Sequence, residues 1–399
     1  MTTSFALRRA TSKDLAAMAE ADGRAFGVHY TDSDLQEIES VLDPDRFWLA
    51  VDTDDAIVGV TGAFDLHVTV PGGAVLPMPG VTWVSVALTH RRRGVLRALL
   101  TEQHREFVEQ GHALCGLTAS EGAIYGRFGY GPTTANRSVE IDRRRAVLRA
   151  DLPDTGGVRQ AGTEEVRELA PELHRRWAAG VPGAVHRGPA QWTPQLADHE
   201  HRRGGATALF HLVHPDGYAS YRRLHSERAA VVTEVVATTA QAHRELWRAL
   251  LAMDLVETVR CRALALDDPL PLLLTDPRQV RTTGLHDGMW TRALDVPALL
   301  SARRYGIEID AVLDVGDPFL DRGGRFRLRG GPDGATCEPT TAPADVRVDA
   351  TALGPLVLGG QRTRPLAGAG LLTADDPALL HRIDLAFLTD RLPVHGTEF

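Results

Sequence analysis

Residues 81–100 have the sequence VTWVSVALTHRRRGVLRALL, and the spacing of their apolar residues changes in the middle. The first half alternates at Val84, Val86 and Leu88, as in a half-buried β-strand. After a basic turn that ends at Gly94, apolar residues recur every three or four positions, which predicts a helix. The first turn of a helix carries unpaired N–H groups at its positive end. The stretch therefore predicts a strand, a turn and a helix that together form an anion site suited to a phosphate.

Two common phosphate-binding patterns are absent from this turn. It lacks the three glycines of the dinucleotide-binding loop and the Gly-Lys-Ser/Thr ending of the P-loop. The remaining pattern, Arg-x-x-Gly-x-Leu from Arg91 to Leu96, resembles the pyrophosphate loop of the GNAT superfamily of N-acetyltransferases. In that superfamily the loop amides hold the pyrophosphate of acetyl-coenzyme A. Taken alone, a basic turn is equally compatible with a solvated surface.

A second motif follows an apolar strand that is predicted over residues 113–118. Residues 119–131 have the sequence ASEGAIYGRFGYG. Together, the two motifs resemble those of the actinobacterial Eis ("enhanced intracellular survival") proteins, which are multi-acetylating aminoglycoside N-acetyltransferases. The resemblance spans the whole chain and extends to its last three residues, Thr397-Glu398-Phe399.

The resemblance implies an α/β (α+β) architecture with tandem GNAT-like domains followed by a sterol-carrier-protein-like C-terminal domain. We expect an active acetyltransferase domain at residues 1–150, a degenerate GNAT-like domain at residues 151–288 and a sterol-carrier-like domain at residues 289–399. The C-terminus of the third domain would return to the active site. In that domain, apolar patterns predict strands at 311–315, 324–329 and 346–349 and helices at 297–303, 350–359 and 377–389.

The second domain is also suggested by a comparison of the chain with itself. The sequence LWRALL from Leu246 matches VLRALL from Val95, and both follow a predicted strand and a turn. In this alignment Glu245 stands in the place of Gly94. A carboxylate at a helix start repels a pyrophosphate, so we expect the second domain to bind no coenzyme A.

Composition places the chain among ordinary globular proteins. It has 399 residues, of which 43% are hydrophobic and 24% charged, enough for two or three domains. No stretch predicts a membrane span or a signal peptide, so we expect a cytoplasmic protein. The formal net charge of -8 argues against a nucleic-acid partner and favours cationic substrates. Cys115, Cys261 and Cys337 lack metal-ligand spacing, so we expect buried thiols without disulfides or metal.

Acetyl transfer to an amine needs a route for the ammonium proton and an acid for the departing thiolate. The family comparison places the catalytic tyrosine at Tyr125; the alternative is that this ring only packs under its loop. The comparison places the base at the terminal carboxylate of Phe399, whose ring would anchor the chain end while burial raises the pKa of that carboxylate. The alternative is a frayed chain end.

The same comparison suggests the residues that bind the two substrates. Contacts with acetyl-coenzyme A are expected from Val84, Ser85, Val86, Arg91, Arg92, Gly94, Val95, Leu96, Ser120 and Glu121. Glu121 is equally compatible with a helix cap. Ammonium groups pair with carboxylates and aromatic faces, so the amine is expected against Asp22, Phe26, Tyr30, Trp83 and Glu398.

Two other side-chain types are candidate catalytic groups. His90 and His112 flank the helix predicted after Gly94 in the first domain and are candidate bases, although helix ends are ordinary positions for histidine. Cys115 would permit an acyl-cysteine route, but its position in the middle of an apolar strand favours a buried, inert thiol.

Two classes of function remain open in the sequence. The first is an acetyl-coenzyme A-dependent N-acetyltransferase that acts on primary amines of aminoglycosides, polyamines or lysine side chains, by direct attack in a ternary complex. The second is a non-catalytic protein that binds an apolar ligand in its sterol-carrier-like domain and keeps a vestigial acetyltransferase fold. The intact turn at Gly94, together with Tyr125 and Phe399, favours the enzyme. The family resemblance also implies a homo-hexamer.

Overall fold

The computed structural model describes residues 5–399. This part of the chain contains three β-sheets with helices packed against them. The elements of its first part are β1 (Ala6–Arg9), α1 (Leu15–Phe26), α2 (Asp32–Val41), β2 (Phe47–Val51), β3 (Ile57–Thr69), β4 (Val75–Val86), α3 (Val95–Glu109), β5 (Leu114–Thr118), α4 (Gly122–Tyr125) and β6 (Gly131–Pro132). In the first sheet the order β1-β2-β3-β4-β5 includes one parallel pair, β4 with β5. Helices α1 and α3 cover β3 and β4, with Met18 and Leu99 fully buried.

The middle part of the chain forms a second sheet. Its elements are β7 (Ala135–Asp142), β8 (Arg159–Ala161), α5 (Thr163–Ala179), β9 (Val185–His186), α6 (Pro189–Leu196), β10 (Phe210–His214), β11 (Gly217–Leu224), β12 (Ala229–Ala237), α7 (Ala240–Leu251), β13 (Thr258–Ala265), α8 (Leu270–Leu273) and β14 (Val280–Asp287). The strand order is β14-β7-β13-β12-β11-β10-β8, and β12 and β13 are parallel. Strand β9 instead joins the first sheet beside β3. The second sheet nevertheless repeats the parallel pair of the first sheet and the helix that connects its two strands.

The last part of the chain forms a smaller sheet under four helices. Its elements are β15 (Met289–Ala293), α9 (Val296–Ala302), β16 (Ile309–Gly316), β17 (Gly324–Gly331), β18 (Gly334–Pro339), β19 (Val346–Asp349), α10 (Ala350–Leu358), α11 (Thr363–Gly368), β20 (Leu372–Ala374) and α12 (Pro377–Phe387). The strand order is β18-β17-β16-β19-β20. Helix α10 is buried on nearly all sides, because it also packs against β15 and β6 of the first sheet. The strands and helices predicted for this region are confirmed, whereas β18, α11 and β20 had no prediction.

The sheets exchange strands with neighbouring parts of the sequence. Strand β15 inserts between β5 and β6 of the first sheet. Strand β7, which precedes residue 150, pairs with β13 and β14 of the second sheet. The domain limits at residues 150 and 288 stay a prediction, and the hydrogen-bonded sheets cross both of them.

Two local expectations from the sequence are wrong. Strand β4 ends at Val86, and Leu88 lies in a 3-10 turn with 73% of its surface exposed. Glu245 does not stand at the start of its helix, because α7 already begins at Ala240. The side chain of Thr239 caps that helix start by accepting a hydrogen bond from the amide of Ala242. The repeated motif therefore aligns the interior of α7 with the start of α3. The second domain has only two residues between β12 and α7.

The expectation of buried thiols agrees with the structure. Cys115, Cys261 and Cys337 are buried free thiols. In residues 5–399, none of the helices combines the length and the apolarity that a membrane crossing requires.

Candidate active site

A bulge in β4 shapes one wall of the site. The pairing of β4 with β3 shifts by one residue, so that Trp83 and Val84 together oppose Thr61. The φ of Trp83 is 54°, in the left-handed region that a bulky L-residue rarely adopts. A bulge bends its strand and changes the direction of the following side chains. It therefore accompanies the divergence of β4 from its other neighbour, β5.

Strands β4 and β5 lie side by side over a short distance only. They pair at Gly80 with Gly116 and at Val81 with Leu117. From residue 82 to residue 86, β4 pairs with β3 alone, and its opposite edge has no strand partner in the described chain. The main-chain groups on that edge are available to an extended ligand, which can bond to them as another strand would.

The turn after β4 carries a row of free backbone amides. The N–H groups of residues 91–97 donate no hydrogen bond within residues 5–399. Arg92 and Gly94 have positive φ angles of 63° and 85°, and such turns form concave nests of N–H groups that bind anions. The positive end of α3, which begins at Val95, faces the same space. A Cβ on Gly94 would meet nothing within 4 Å, so the backbone conformation rather than lack of space favours glycine here.

A cavity of about 800 Å³ adjoins these amides. Its lining includes all ten residues for which we predicted contact with acetyl-coenzyme A: Val84, Ser85, Val86, Arg91, Arg92, Gly94, Val95, Leu96, Ser120 and Glu121. The side chains of Arg91 and Arg92 are exposed and form no ion pair with any described residue. Glu121 occupies the N-cap position of α4, but its side chain makes no capping hydrogen bond. The geometry therefore favours a role at the cavity wall over a role as a helix cap.

A smaller cavity of about 320 Å³ shares part of its wall with the first. Phe26, Val84, Ser120 and Tyr125 line both cavities. The smaller one is also lined by Trp83, Glu398 and Phe399, three of the residues predicted for catalysis or for the substrate. The structure thus brings residues that are hundreds of positions apart in sequence to the junction of the two cavities.

Tyr125 lies at this junction, at the end of α4. Its side chain is 5% exposed, and its ring packs edge-on against Tyr130 with centroids 6.1 Å apart. Burial raises the pKa of Tyr125 to about 12, so the hydroxyl keeps its proton at neutral pH. Within residues 5–399 this hydroxyl has no hydrogen-bond partner, although it stands beside two cavities. Both interpretations of Tyr125 therefore apply: its ring packs against the protein, and its hydroxyl faces the site.

The last residues of the chain are held at the same place. The hydroxyl of Thr118, at the end of β5, donates a hydrogen bond of 2.9 Å to the terminal carbonyl oxygen of Phe399. The ring of Phe399 lies over Gly80, where an added Cβ would approach it to 2.8 Å. Glu398 is exposed, and His395 contacts its carboxylate at 3.1 Å, which lowers the pKa of Glu398. The chain end is thus packed and hydrogen-bonded rather than frayed.

Asp22 and Tyr30 differ from the sequence-based expectation, because neither lines these two cavities. The hydroxyl of Tyr30 donates a 2.6 Å hydrogen bond to the buried carboxylate of Asp22. Burial raises the pKa of Asp22. The ring of Tyr30 stacks on Trp83 with centroids 6.3 Å apart, so the pair supports the wall from behind. Helix α1 turns Asp22 inward while it leaves Phe26 at the cavity.

Several residues that border the site have no role in binding that the sequence predicts. Arg97 and Arg127 line the larger cavity, and so does His90, whose buried Nε2 has no partner within the described chain. Thr118 binds the chain end. His90, Arg97 and Arg127 lie inside the two quoted stretches, 81–100 and 119–131, so their positions in the motifs could have indicated them. Thr118 carried no sequence signal, because its partner lies 281 residues away.

Two of the three alternative catalytic residues, Cys115 and His112, lie outside the site, whereas His90 lines the larger cavity. Cys115 is fully buried, and its sulfur contacts the hydroxyl of Tyr130 at 3.1 Å. Burial raises the pKa of this thiol to about 12, which disfavours the thiolate that an acyl-cysteine route needs. His112 lines neither cavity.

Comparison with known proteins gives the same domain order as the sheets. Family models for an acetyltransferase (GNAT) domain match residues 6–133 and residues 183–292, and a model for a sterol carrier protein domain matches residues 296–396. The N-acetyltransferase Eis of Mycobacterium tuberculosis is 44% identical over 346 residues, which cover 84% of each chain. The chain belongs to the Eis family of N-acetyltransferases.

Other relatives extend this assignment over almost the whole chain. An uncharacterised N-acetyltransferase of Streptomyces coelicolor is 35% identical over 93% of this chain and 94% of its own length. The crystal structure of Eis1 from Mycobacterium abscessus superposes with a TM-score of 0.89 at 32% identity, covering 99% of this chain and 100% of that one. A GCN5-related N-acetyltransferase from Anabaena variabilis, at 20% identity and a TM-score of 0.86, shares the fold. The predicted family, the fold class and the assignment as an acetyltransferase are confirmed. Acetyltransferases of the GNAT superfamily use acetyl-coenzyme A in general.

Proposed function

We propose that this Eis-family acetyltransferase transfers the acetyl group of acetyl-coenzyme A to primary amines, in a ternary complex formed at the junction of the two cavities. The observation that carries the proposal is the row of unbonded amides at residues 91–97 in the larger cavity, which meets at Tyr125 the smaller cavity that Phe399 lines. An anion nest, an unpaired strand edge, an acid and a carboxylate are thereby combined in one place.

The larger cavity carries groups that suit the charge and the amides of acetyl-coenzyme A. The amides and arginines of residues 91–97 suit a diphosphate, because charge-assisted hydrogen bonds from N–H groups and guanidinium groups are strong. The free edge of β4 suits the amide groups of the pantetheine arm. When bound there, the molecule supplies a thioester, whose carbonyl carbon bonds to the amine nitrogen as its carbon–sulfur bond breaks.

Tyr125 is our candidate for the general acid. Its raised pKa keeps a proton on the hydroxyl, and no protein group competes for that proton within the described chain. The hydroxyl can donate it to the sulfur that takes up the electron pair of the broken bond. The buried position of the ring fixes where the proton is held.

The carboxylate of Phe399 is our candidate for the general base. A primary amine is protonated at neutral pH, so it must lose a proton before it attacks. The terminal carboxylate lines the cavity where the amine would enter, and the Thr118 hydroxyl holds one of its oxygens. The second oxygen can accept the ammonium proton, and the net reaction then gives the amide, the thiol and one proton.

The wall of the smaller cavity suits a cationic substrate. Trp83 and Phe26 offer aromatic surface and Glu398 offers a carboxylate whose lowered pKa keeps it charged. This lining supports primary amines as a class, including aminoglycosides, polyamines and lysine side chains. A homo-hexamer and a cytoplasmic location stay predictions from the family resemblance and from the composition.

The binding-protein alternative receives no support from the third sheet. A cavity of about 640 Å³ on that sheet is lined by charged side chains, including Glu308, Asp310, Arg329 and Arg382. The interior of the domain is filled by buried apolar side chains such as Leu353 and Val357. Neither feature suits an apolar ligand.

The test is the release of coenzyme A thiol from acetyl-coenzyme A with a panel of amines that includes an aminoglycoside, a polyamine and a lysine peptide. We expect release with at least one class and a loss of kcat of about 100-fold or more in Tyr125→Phe, because a positioned proton donor contributes this much. Binding of acetyl-coenzyme A should be nearly unchanged.

The matched control is Tyr221→Phe, which removes a phenol from the second sheet, where the ring stacks on Phe210 far along the chain from the cavities. Its kcat should equal that of the parent. No thiol release with any amine would contradict the proposed function, and full activity of Tyr125→Phe would remove this residue from the mechanism.

A further inference from the structure

The C-terminal arm, residues 392–399, runs along the second domain before it enters the site of the first. The amide of Leu392 bonds to the carboxylate of Asp267 at 2.7 Å. The amide of Val394 bonds to the carbonyl oxygen of Pro182 at 3.0 Å, and the carbonyl oxygen of His395 accepts a bond from the amide of Val185 at 2.9 Å. The arm is therefore paired with the backbone of the second domain over several residues.

One arginine of the second domain binds the arm just before its end. The Nε of Arg187 donates to the hydroxyl of Thr397 at 2.9 Å, and its Nη2 donates to the carbonyl oxygen of Gly396 at 2.5 Å. Only 2% of the Arg187 side chain is exposed, so these charge-assisted bonds are shielded from water. Such bonds are worth more in a buried site than on a surface.

Arg187 is itself held by a carboxylate on β12. Glu234 binds the same guanidinium at 2.6 Å and also accepts a hydrogen bond of 2.8 Å from the hydroxyl of Tyr218. The ring of Trp192 lies 4.9 Å from the guanidinium carbon. The side chain of Arg187 therefore has a fixed position, and its bonds to Thr397 and Gly396 hold the arm in place.

The bonds from Arg187 lie close enough to the chain end to limit the positions that this end can reach. Only Glu398 and Phe399 follow Thr397, and the carboxyl group can lie no more than about 10 Å from the gripped residue. Gly396 adopts a φ of 66°, and an added Cβ there would meet the ring of Trp177 at 2.5 Å. The arm therefore bends tightly against the second domain and then delivers Phe399 to Thr118 of the first.

We propose that Arg187 and Glu234 are positioning residues for catalysis: they clamp the C-terminal arm so that the carboxylate of Phe399 stands in the active site. The proposal rests on the proposed function in assigning that carboxylate a catalytic role. It gives the second domain, which lacks a wide phosphate turn, a part in the reaction of the first domain. The second domain then holds the proposed general base, the carboxylate of Phe399, in position.

The test compares an Arg187→Met/Glu234→Gln double variant with the parent. The double change avoids leaving a buried carboxylate without its partner, and glutamine can still accept the Tyr218 bond. Arg176→Met is the control, because it removes an arginine of the same domain that pairs with Asp216 on a half-exposed surface. Thr397→Val replaces the double variant if that protein does not fold; it nearly keeps the side-chain shape and removes the bonds of the hydroxyl with Arg187 and with the carbonyl oxygen of Val185.

Two measurements separate the clamp from the chemistry. Release of Phe399 by carboxypeptidase A, followed by mass spectrometry, reports how firmly the arm is held. We expect release at least about tenfold faster in the double variant and unchanged in the control. Thiol release should show kcat lowered by about 100-fold with the KM for acetyl-coenzyme A unchanged, because misplacing a catalytic group by about 1 Å has this effect.

Each result is decisive. Release of Phe399 at the parent rate would overturn the clamp, whatever the activity. Faster release with unchanged kcat would show that the arm is held by Arg187 but that the terminal carboxylate is not the base, which contradicts that part of the proposed function and the catalytic part of this proposal. A parallel rise in KM and fall in kcat would indicate general damage to the site and would also overturn it.

Discussion

Trp83 and Gly94 each place a left-handed backbone conformation at a wall of the site. At Trp83 the strain is held by packing, since the ring lies between the stacked Tyr30 and the edge of Phe47. At Gly94 no neighbouring atom lies within 4 Å of the Cβ position, so the conformation depends on the absence of a side chain. A substitution at Trp83 would also remove ring packing, whereas a substitution at Gly94 tests the backbone conformation alone.

Gly94→Ala should weaken the binding of coenzyme A at least about fivefold, because an alanine at this φ costs about 1 kcal/mol or more and the turn relaxes away from its nest. Titration calorimetry with coenzyme A measures this. Gly111→Ala is the control: Gly111 follows the other end of α3, has a φ of 77° and also has open space around its Cβ position. Both variants should lose similar stability, and equal coenzyme A affinities would contradict the role of this turn.

His174 provides a prediction on pH dependence. Its ring is 1% exposed, packs on Trp177 and Trp192, and its Nε2 has no hydrogen-bond partner among the described residues. Burial lowers the pKa of His174 to about 2. Below the ordinary histidine pKa of about 6.5, the unfolded chain binds a proton that the folded chain does not, so stability falls as the pH falls.

His174→Leu should remove this penalty while it nearly conserves volume. Its melting temperature relative to the parent should rise as the pH is lowered from 7 to 5.5, corresponding to about 1 kcal/mol per pH unit below 6.5. Thermal unfolding at both pH values measures it. His225→Leu, in an exposed turn, is the control and should follow the parent at each pH. A difference between His174→Leu and the parent that does not depend on pH would contradict the prediction.

At the scale of elements, the C-terminal arm is the segment on which the proposed chemistry depends. It joins α12 of the third domain to the cavity between β4 and β5 by way of the second domain. A short arm with a glycine at positive φ lets the end of the third domain reach a cavity that is otherwise lined by residues of the first.

An extension of several Gly and Ser residues after Phe399 should lower kcat by about 100-fold or more, because it replaces the carboxylate with an amide at the position of the base. Binding of coenzyme A should persist, since the amides of residues 91–97 are untouched. Thiol release and calorimetry measure the two effects. The same peptide fused at the N-terminus is the control. Undiminished turnover of the C-terminally extended chain would exclude the terminal carboxylate as base.

At the scale of the whole molecule, the first of two related domains lines the candidate site together with the end of the chain. In the second domain, Thr239 caps the start of α7, and His243 contacts Asp268 at 3.1 Å between that helix and the loop after β13. The corresponding gap in the first domain, between α3 and the loop after β5, opens into the larger cavity. The second copy therefore has neither free helix amides of the same kind nor the same opening.

We therefore predict that each chain binds one coenzyme A. Calorimetric titration of the protein with coenzyme A should give a stoichiometry near one per chain, and Gly94→Ala should weaken that single event. A second binding event that survives Gly94→Ala would show that the other domain also holds the nucleotide. Such an event would contradict the assignment of the second domain as a structural anchor.

The sequence by itself determined the parts of the site that depend on short stretches of backbone. The turn at Arg91–Gly94 and the segment after β5 were predictable, because the change of apolar spacing and the positions of glycine act over a few residues. The alignment with the second copy failed at Glu245, because a repeated apolar pattern identifies a helix face but not the residue at which the helix begins.

Only the tertiary structure decided which distant groups meet. It placed Asp22 and Tyr30 behind Trp83, brought Thr118 to Phe399, joined Arg187 to Gly396, and inserted β15 between β5 and β6. These contacts join residues far apart in the chain, and they follow from how sheets and helices bury their apolar faces against one another. Local spacing fixes the conformation of a turn, whereas the packing of the whole chain fixes what faces it.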